Sequence, residues 1–392
     1  KSSAMKIVII SSDQYPFFVN IVNQLAILGH ELHVICSKKI GSIKGVELVS
    51  DKIILYPEYY GKIDIEGSKL NFFWSLFTII RFRKLVQQIQ PDILHAFNLK
   101  WSGWFAAFSG YHPYILSGLG SDILIEQGAT KNFYLRFLRK FTIKKVDIVT
   151  IVSEQMEKQV KEVNNSTKTV FLNAGVDKQI FRSQPSGSLS DFKHRITYNP
   201  DVKLIFSPRQ IRPVYQIKQI IEAFDLVHQK QPNSMLIQGG SDNTLYVTEV
   251  RDLINKKKLQ NFVHFTGRVN QEDWINYFSI SDIVVSFPYN DGLPATIFEA
   301  MAIGKPLILS DIPSIRKLIG KDDESILVDK DSINQLAEGI LLLINNKIKQ
   351  LANIEFSKKI FNKYGDDRNT IKVLLKIYNE LIDIKMGEYR IE

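Results

Sequence analysis

Short apolar runs alternate with helix-like segments along most of the chain. Residues 6–10 and 32–36 are apolar runs with the length of a buried strand, and between them apolar residues recur at helical spacing from Phe18 to Leu28. Further strand-like runs follow in the first half of the chain at 93–96, 114–117, 148–152 and 169–172. This alternation predicts a parallel sheet covered by helices, which is the pattern of a Rossmann-like domain.

The same alternation restarts in the second half of the chain. The strand-like runs there are 203–207, 235–238, 262–265, 283–287 and 307–309. A polar stretch from Ser183 to Ser190 has the composition of a flexible linker, and a length of 392 residues suits two domains. We therefore predict an α/β protein with these segments: 5–183, a Rossmann-like domain; 184–195, a linker; 196–370, a second Rossmann-like domain; and 371–392, a helical segment that returns to the first domain.

The loop and helix start after the run 283–287 carry candidate binding chemistry. Ligands of open parallel sheets bind beyond the carboxyl ends of the strands. Gly292 allows close approach of the backbone, Pro294 suits a first helical turn, and free N–H groups at such a helix start bind phosphate. The carboxylates of Asp291 and Glu299 can accept hydroxyl hydrogen bonds from a ribose or a sugar. The alternative is that Asp291 caps the helix and Glu299 is a solvated charge.

The segment from Asp291 to Asp311 closely resembles the donor-binding signature of family 4 retaining glycosyltransferases. That signature is an acid, seven residues, Glu-Ala-Met-Ala, a glycine, a proline and a strand that ends in Ser-Asp. The matching residues are Glu299-Ala300-Met301-Ala302, Gly304, Pro306 and Ser310-Asp311. The family has the GT-B fold, in which two Rossmann-like domains face each other across a deep cleft. The resemblance therefore implies a first domain that binds the acceptor and a second that binds a nucleotide-sugar donor.

In that family the first acid of the signature lies by the transferred sugar, and the second holds the ribose of the nucleotide. The resemblance gives these roles to Asp291 and Glu299. Asp291 replaces the usual glutamate and is one methylene shorter, which leaves the donor sugar open. The donor-binding residues that the resemblance adds between them are Gly292, Leu293, Pro294, Ala295 and Thr296.

Loops after three other strands of the second half are similar to family segments. Arg209 lies where the family has the arginine that neutralises the donor diphosphate, and the usual lysine six residues later is Tyr215. Lys218 is the donor-binding cation that we predict instead, with Arg212 as a second candidate and ordinary surface cations as the alternative. Two further loops resemble family loops that contact the nucleotide, and their residues are Gly239, Gly267, Arg268 and Val269. The alternative is that each loop is a plain turn between a strand and a helix.

The first half of the chain departs from the family at the reaction centre. Leu119 stands where the family often has a histidine, and Asp122 could take over part of that polar role or simply brace a loop. His95, at a strand end, either faces the cleft or is a satisfied structural residue. The catalytic residues that we predict are Arg209, Asp291 and Asp122.

The resemblance implies a metal-independent, retaining hexosyltransferase that uses a nucleotide-diphosphate sugar, with UDP favoured, and a glycan or lipid-linked hydroxyl acceptor. No cofactor is expected, because the resemblance implies a family whose members normally work without a metal, and no histidine cluster suggests one. Two other functions stay open. One is a nucleotide-sugar epimerase on the same fold, and the other is a sensor that binds a nucleotide sugar without turning it over.

The formal net charge of +9 favours anionic partners but does not choose among phosphates, membranes and nucleic acid. No nucleic-acid-binding module is recognised, so we expect no such partner. The basic, aromatic stretch from Phe133 to Lys145 could rest on an anionic membrane, or it is a surface helix with its aromatic side in the core. The apolar run 71–80 is too short to span a bilayer and no signal sequence is visible, so we expect a cytoplasmic protein, with peripheral contact at the inner membrane face as an option.

Overall fold

The chain forms two compact units, each built on one parallel sheet. The computed structural model describes residues 4–11, 16–36, 50–56, 69–118, 122–123, 133–173, 175–182, 186–241, 245–320 and 326–388. The first unit consists of Lys1–Asn173 together with Thr370–Glu392, and the second unit is Ala174–Asn369.

The first unit has a seven-stranded parallel sheet. Its strands are β1 (Lys6–Ser11), β2 (Glu31–Cys36), β3 (Ile53–Tyr56), β4 (Ile93–Phe97), β5 (Tyr114–Ser117), β6 (Ile148–Ile151) and β7 (Lys168–Phe171). Their order across the sheet is β3-β2-β1-β4-β5-β6-β7, with all neighbours parallel. The central strands are continuous apolar runs because helices cover both faces of the sheet.

Helices of the first unit pack on both faces of this sheet. They are α1 (Pro16–Ile27), α2 (Lys69–Ile89), α3 (Trp101–Ser109), α4 (Phe133–Lys145) and α5 (Glu154–Val163). Phe82 of α2, Phe105 of α3 and Ile143 of α4 belong to one buried cluster. We call α2, α3 and α4 the three-helix layer. Phe18 of α1 belongs to a different cluster, and α1 thus covers the opposite face.

The second unit repeats this plan with a six-stranded parallel sheet. Its strands are β8 (Lys203–Ser207), β9 (Ser234–Gln238), β10 (Val263–Phe265), β11 (Ile283–Ser286), β12 (Leu307–Ser310) and β13 (Ile326–Val328). The order is β10-β9-β8-β11-β12-β13. Its helices are α6 (Ser186–His194), α7 (Ile217–Lys230), α8 (Leu245–Lys256), α9 (Gln271–Ile280), α10 (Ala295–Ile303), α11 (Pro313–Ile319), α12 (Ile333–Asn345) and α13 (Lys347–Ile360). The prediction of two Rossmann-like α/β domains is confirmed.

The segment predicted as a flexible linker, 184–195, contains helix α6. Phe192 of α6 is buried and packs edge-on against Tyr277, with 5.0 Å between the ring centroids. The division between the units falls earlier, between Asn173 and Ala174. The polar composition of the segment is misleading because one aromatic side chain is enough to anchor this short helix.

The last helix, α14 (Asp367–Glu388), carries the chain from the second unit into the first. Its Leu374 and Tyr378 are buried in the same cluster as Phe18 of α1. Lys168 of β7 also forms an ion pair with Glu380, at 3.1 Å. Among the described helices, none has the length and apolarity that a membrane span requires.

Candidate active site

The loops that follow four adjacent strands of the second unit meet at one edge of its sheet. β10, β9, β8 and β11 are neighbours in that order, and the loops after them carry Gly267, Gly239, Arg209 and Asp291. Gly240 and Gly267 form an isolated β-bridge, which joins the loops after β9 and β10 directly. Strand order in a parallel sheet thus brings together residues that lie about eighty positions apart in sequence.

Arg209 is the centre of a buried polar cluster. Its guanidinium forms a very short ion pair with Asp291 and donates from Nη1 to Oγ1 of Thr296, at 3.2 Å. The ring of Tyr215 lies 4.0 Å from the guanidinium carbon, so a cation–π contact occupies the place of the family lysine. Arg209 is 7% exposed, and its buried Nε–H has no acceptor among the described residues.

Asp291 is held by the backbone of Gly292 and the side chain of Ser314 as well as by Arg209. One of its carboxylate oxygens accepts a hydrogen bond from the Gly292 N–H at 2.8 Å, and its carbonyl accepts from the hydroxyl of Ser314 at 2.8 Å. The carboxylate therefore has a fixed position beside the guanidinium. Since the predicted catalytic residues Arg209 and Asp291 pair with each other, the charge of each is neutralised before any ligand binds.

The start of α10 lies beside this pair. Pro294 is the residue before the helix rather than part of its first turn, and no side chain of the described residues caps the helix. Gly292, Leu293, Ala295 and Thr296 are all partly exposed. An uncapped helix start presents backbone N–H groups and the positive end of the helix dipole, which suit a phosphate.

Glu299 lies on α10 in partly buried surroundings. Burial raises the pKa of its carboxyl to about 7, although the hydrogen bond from Trp274 and the positive charge of Arg209 both lower it. Trp274, on α9, donates from its indole Nε1 to Oε2 of Glu299 at 2.9 Å. The pKa of this carboxyl thus lies close to neutral pH, and one of its oxygens already has a partner.

Close packing requires glycine in the loop after β9. A Cβ on Gly239 would lie 3.2 Å from the ring of Trp274 and 3.1 Å from a backbone oxygen of Ser207. Gly240 has a φ of +91°, and a Cβ there would lie 2.7 Å from Cα of Gln210. Gly267 has a φ of +63°, and no described atom lies within 4 Å of its Cβ position. The loop after β10 therefore has open space beside it.

Three residues that the sequence analysis missed hold the site together. Gln238 is fully buried, and its amide donates to the carbonyls of Arg209 and Gly239, at 2.8 and 2.9 Å. Trp274 bonds Glu299, and Tyr215 stacks on Arg209. Gln238 ends a strand and directly precedes two glycines, which is the one signal that the sequence carried for it.

The predicted donor-binding cations Lys218 and Arg268 differ from Arg209 in their contacts or exposure. The ammonium group of Lys218 pairs with Glu249 of α8 and lies 5.4 Å from the ring of Tyr246. Arg268 is exposed, as is the other candidate cation, Arg212. The ion pair of Lys218 and the exposure of Arg268 and Arg212 fit the alternative of ordinary surface cations. Val269, also predicted to bind the donor, packs against a core cluster of the second unit.

The candidate residues of the first unit have structural contacts. Asp122 accepts a hydrogen bond from the N–H of Leu99 at 2.8 Å, as expected of a residue that braces a loop. His95 is fully buried between the hydroxyls of Tyr378 and Ser117, each at 2.7 Å, and burial lowers its pKa to about 3. His95 is therefore a neutral, satisfied residue of the sheet. Leu119 lies outside the described residues.

In the described part of the chain, no group of three or more His, Cys, Asp or Glu side chains converges as a metal site. What the Arg209 cluster offers is electrostatic. A buried guanidinium and a helix start can stabilise negative charge on a phosphate, and two carboxyls beside them can accept hydroxyl hydrogen bonds.

Two family models match the chain, one in each half. Residues 190–360 match the model described as glycosyl transferases group 1, and residues 6–153 match the model described as glycosyl transferase 4-like. Both halves of the chain thus match models of glycosyltransferases, and the Arg209 cluster lies within the match of the second half.

Curated relatives are similar at low identity. A Bacillus subtilis glycosyltransferase provisionally assigned to teichuronic acid biosynthesis is 24% identical over 261 residues, which is 65% of this chain and 61% of that protein. N-acetyl-alpha-D-glucosaminyl L-malate synthase of Bacillus anthracis is 21% identical over 377 residues, 93% of each chain. The match to the first of these relatives therefore leaves more than a third of its length uncovered.

Solved structures share the fold across nearly the whole chain. Sucrose-phosphate synthase of Thermosynechococcus elongatus has a TM-score of 0.79 at 16% identity, covering 97% of this chain and 100% of that one. HepE of Anabaena, solved in complex with UDP and glucose, has a TM-score of 0.76 at 16% identity, covering 96% and 100%. The fold is thus that of the GT-B glycosyltransferases. With both halves matched, the chain belongs to the family 4 type of glycosyltransferase, among the glycosyl transferases group 1.

Proposed function

We propose that this glycosyltransferase moves a hexose from a UDP-linked donor to a hydroxyl of a glycan or lipid-linked acceptor, with retention and without a metal. The observation that carries the donor side is the Arg209 cluster, where a buried guanidinium, an uncapped helix start and Glu299 share one sheet edge. Anabaena HepE, which has the same fold, was solved with UDP-glucose, and this supports UDP as the nucleotide.

Breaking the bond between sugar and phosphate leaves negative charge on the diphosphate. Arg209 and the N–H groups at the start of α10 stabilise that charge, and one fixed donor of this kind contributes roughly 3 to 4 kcal/mol to catalysis. The diphosphate replaces Asp291 as the ion-pair partner of the guanidinium. The carboxylate of Asp291 can then accept a hydrogen bond from a sugar hydroxyl. Glu299 holds the ribose through its carboxylate oxygens.

Retention follows in this proposal from attack on the same face as the departing diphosphate. In this proposal Asp291 binds a sugar hydroxyl and does not attack the anomeric carbon, and the leaving phosphate takes the proton of the acceptor hydroxyl. Positioning of the acceptor then contributes strongly to the rate.

The donor role is tested with Arg209→Ala and Glu299→Ala, and exposed residues of the same unit give the matched controls Arg182→Ala and Glu338→Ala. We expect Arg209→Ala to lower turnover about a hundredfold or more and Glu299→Ala to weaken UDP binding, with circular dichroism spectra unchanged. Calorimetry measures UDP binding and NMR measures turnover. Wild-type affinity and turnover in both site variants would reject the proposal.

The same NMR assay separates the other functions. Anomeric configuration of the product reports retention, and activity after treatment with EDTA reports metal independence. Consumption of the donor without any acceptor, giving a free epimer, would establish an epimerase instead. Tight binding without turnover for every acceptor tried would establish a sensor.

A further inference from the structure

The positive charge of the chain is concentrated in the three-helix layer of the first unit. Helices α2, α3 and α4 contain nine lysine and arginine residues and no aspartate or glutamate. The formal net charge of the whole chain is +9, so the positive and negative charges of the remaining residues cancel. Such a one-sided distribution gives the layer a strong field that attracts anions.

Apolar and basic side chains share the solvent face of α2. Leu76, Phe77 and Ile80 are 48%, 61% and 49% exposed, although all three are large and apolar. They are followed by the exposed side chains of Arg81, Arg83 and Lys84. These six residues fall within one arc of the helix, opposite the buried Phe82 and Val86.

A groove runs along this face between α2 and the edge strand β3. It is lined by Tyr56, Phe77, Ile80, Arg81, Lys84, Leu85 and Gln88. On β3 itself, Ile54 and Leu55 are 42% and 37% exposed. The groove thus combines apolar walls with two cations.

The solvent face of α4 repeats the combination. Arg136, Lys140 and Lys144 are exposed and follow each other at intervals of four residues. Phe137 is 52% exposed beside them, whereas Phe141 stacks on Phe108 of α3 at 4.6 Å. The alternative of a surface helix with its aromatic side in the core fits Phe141, whereas Phe137 is half exposed and contacts only Phe141 among the described rings, at 6.2 Å.

We infer that the outer face of the three-helix layer, formed by α2 from Leu76 to Lys84 and α4 from Arg136 to Lys144, binds the surface of an anionic phospholipid bilayer. Phe77, Ile80 and Phe137 enter the boundary between headgroups and acyl chains, and the basic side chains contact the lipid phosphates. Exposed apolar residues scattered singly carry no such meaning, but here they are set among cations on two helices that contain no acid, which fits an anionic membrane.

Nucleic acid is the other polyanion that this charge could attract. Proteins bind its backbone through cations. Leu76 and Ile80, at the centre of the face, would not contribute to such binding, because aliphatic side chains neither neutralise phosphate nor stack on bases. The apolar residues therefore favour the bilayer, and they also allow the two partners to be separated by experiment.

The full chain is mixed with vesicles of phosphatidylcholine alone or with 30% phosphatidylglycerol, and bound protein is measured by flotation. The anchor variant is Phe77→Ser with Ile80→Ser, and the charge variant is Arg81→Glu with Lys84→Glu. Exposed residues of the second unit give the controls: Leu245→Ser with Ile348→Ser, and Lys230→Glu with Lys256→Glu. A fluorescent single-stranded RNA is titrated in parallel.

We expect binding to the anionic vesicles only, with loss at high salt. Each basic side chain near the surface contributes about fivefold to partitioning, so the charge variant binds at least tenfold more weakly. The anchor variant also loses at least about tenfold, because it removes two apolar side chains from the interface, while both controls bind like wild type. UDP binding and thermal unfolding are measured on every variant to show that it is folded.

Three results would overturn the inference. The first is absence of binding to anionic vesicles by the wild-type chain. The second is equal loss in the charge variant and its control, which would mean that overall charge alone is responsible. The third is RNA binding at least as tight as vesicle binding and unchanged in the anchor variant, which would assign the face to nucleic acid.

Discussion

At the scale of single residues, Glu299 combines a proposed role in ribose binding with a cost to stability. Burial raises the pKa of its carboxyl from 4.5 to about 7. The folded state therefore binds a proton more tightly than the unfolded state does. Through this group the free energy of unfolding of the ligand-free protein decreases as the pH rises from about 4.5 to about 7, and the loss is complete above that range.

A neutral isostere tests this linkage. We expect Glu299→Gln to raise the melting temperature at pH 8 relative to wild type, with little difference at pH 5, because glutamine carries no buried charge. The same variant should bind UDP more weakly at pH 8. Scanning calorimetry at both pH values measures the first effect, and Glu338→Gln is the exposed control. Destabilisation at pH 8 without any change in UDP binding would mean that Glu299 is purely structural.

Motif resemblance located the residues of the Arg209 cluster that lie within one signature or loop, namely Arg209, Asp291, Thr296 and Glu299. It could not locate Trp274 or Tyr215, whose roles depend on contacts made only in three dimensions. Lys218 stays a prediction as a donor-binding cation. It is a cation at about the right sequence position, but its side chain pairs with Glu249 instead.

At the scale of elements, the short loop after β9 positions the loop after β8. Gly240 lies against the backbone of Gln210, next to Arg209, and Gln238 bonds the Arg209 carbonyl. Parallel neighbours in a sheet place their loops side by side, so a change of shape in one loop is transmitted to the other.

Two glycine variants separate backbone strain from this close approach. Gly240→Ala and Gly110→Ala both place a Cβ at positive φ, which costs about 1 to 2 kcal/mol, but no described atom lies within 4 Å of the Cβ position at Gly110. We expect Gly240→Ala to lose more stability in urea and to weaken UDP binding, because its Cβ must displace the Gln210 backbone. Equal effects on stability, with UDP affinity intact, would contradict this account.

Strands with buried apolar runs were predicted correctly from sequence, and the exceptions have physical reasons. β3 is a four-residue edge strand with two exposed side chains, and β13 has only three residues. Both are apolar runs in the sequence, but they are short and lie at the edges of their sheets. α6 was missed because its composition is polar and its anchor is a single residue, Phe192.

At the scale of the whole molecule, the sequence analysis predicted both Rossmann-like sheets and the return of the last segment to the first unit, but not the contacts that hold this segment there. Hydrophobic periodicity gives elements and their type, whereas the unit to which an element belongs depends on packing partners far away in sequence. The clearest example is Tyr378, whose hydroxyl shares a hydrogen bond with His95, 283 residues away.

We expect Tyr378→Phe to destabilise the first unit by about 1 to 3 kcal/mol, because it leaves the imidazole nitrogen of His95 buried without that partner. Urea unfolding followed by circular dichroism measures the change. Tyr198→Phe, at a position that is 89% exposed, is the control and should be neutral. Equal stability of the two variants would show that the hydroxyl of Tyr378 contributes nothing to the attachment of α14.

The return of α14 has a consequence for how this enzyme can diversify. The chain leaves the first unit at Asn173 and re-enters it at Thr370, and the Thr370 hydroxyl donates to the Asn173 carbonyl at 3.0 Å. On the other side of the boundary, Val176 and Asp366 form a β-bridge. The second unit is therefore a continuous insert whose two ends are neighbours, an arrangement that tolerates transplantation. A single exchange of residues 174–369 between relatives would carry the entire Arg209 cluster into a new host and leave the three-helix layer of that host untouched.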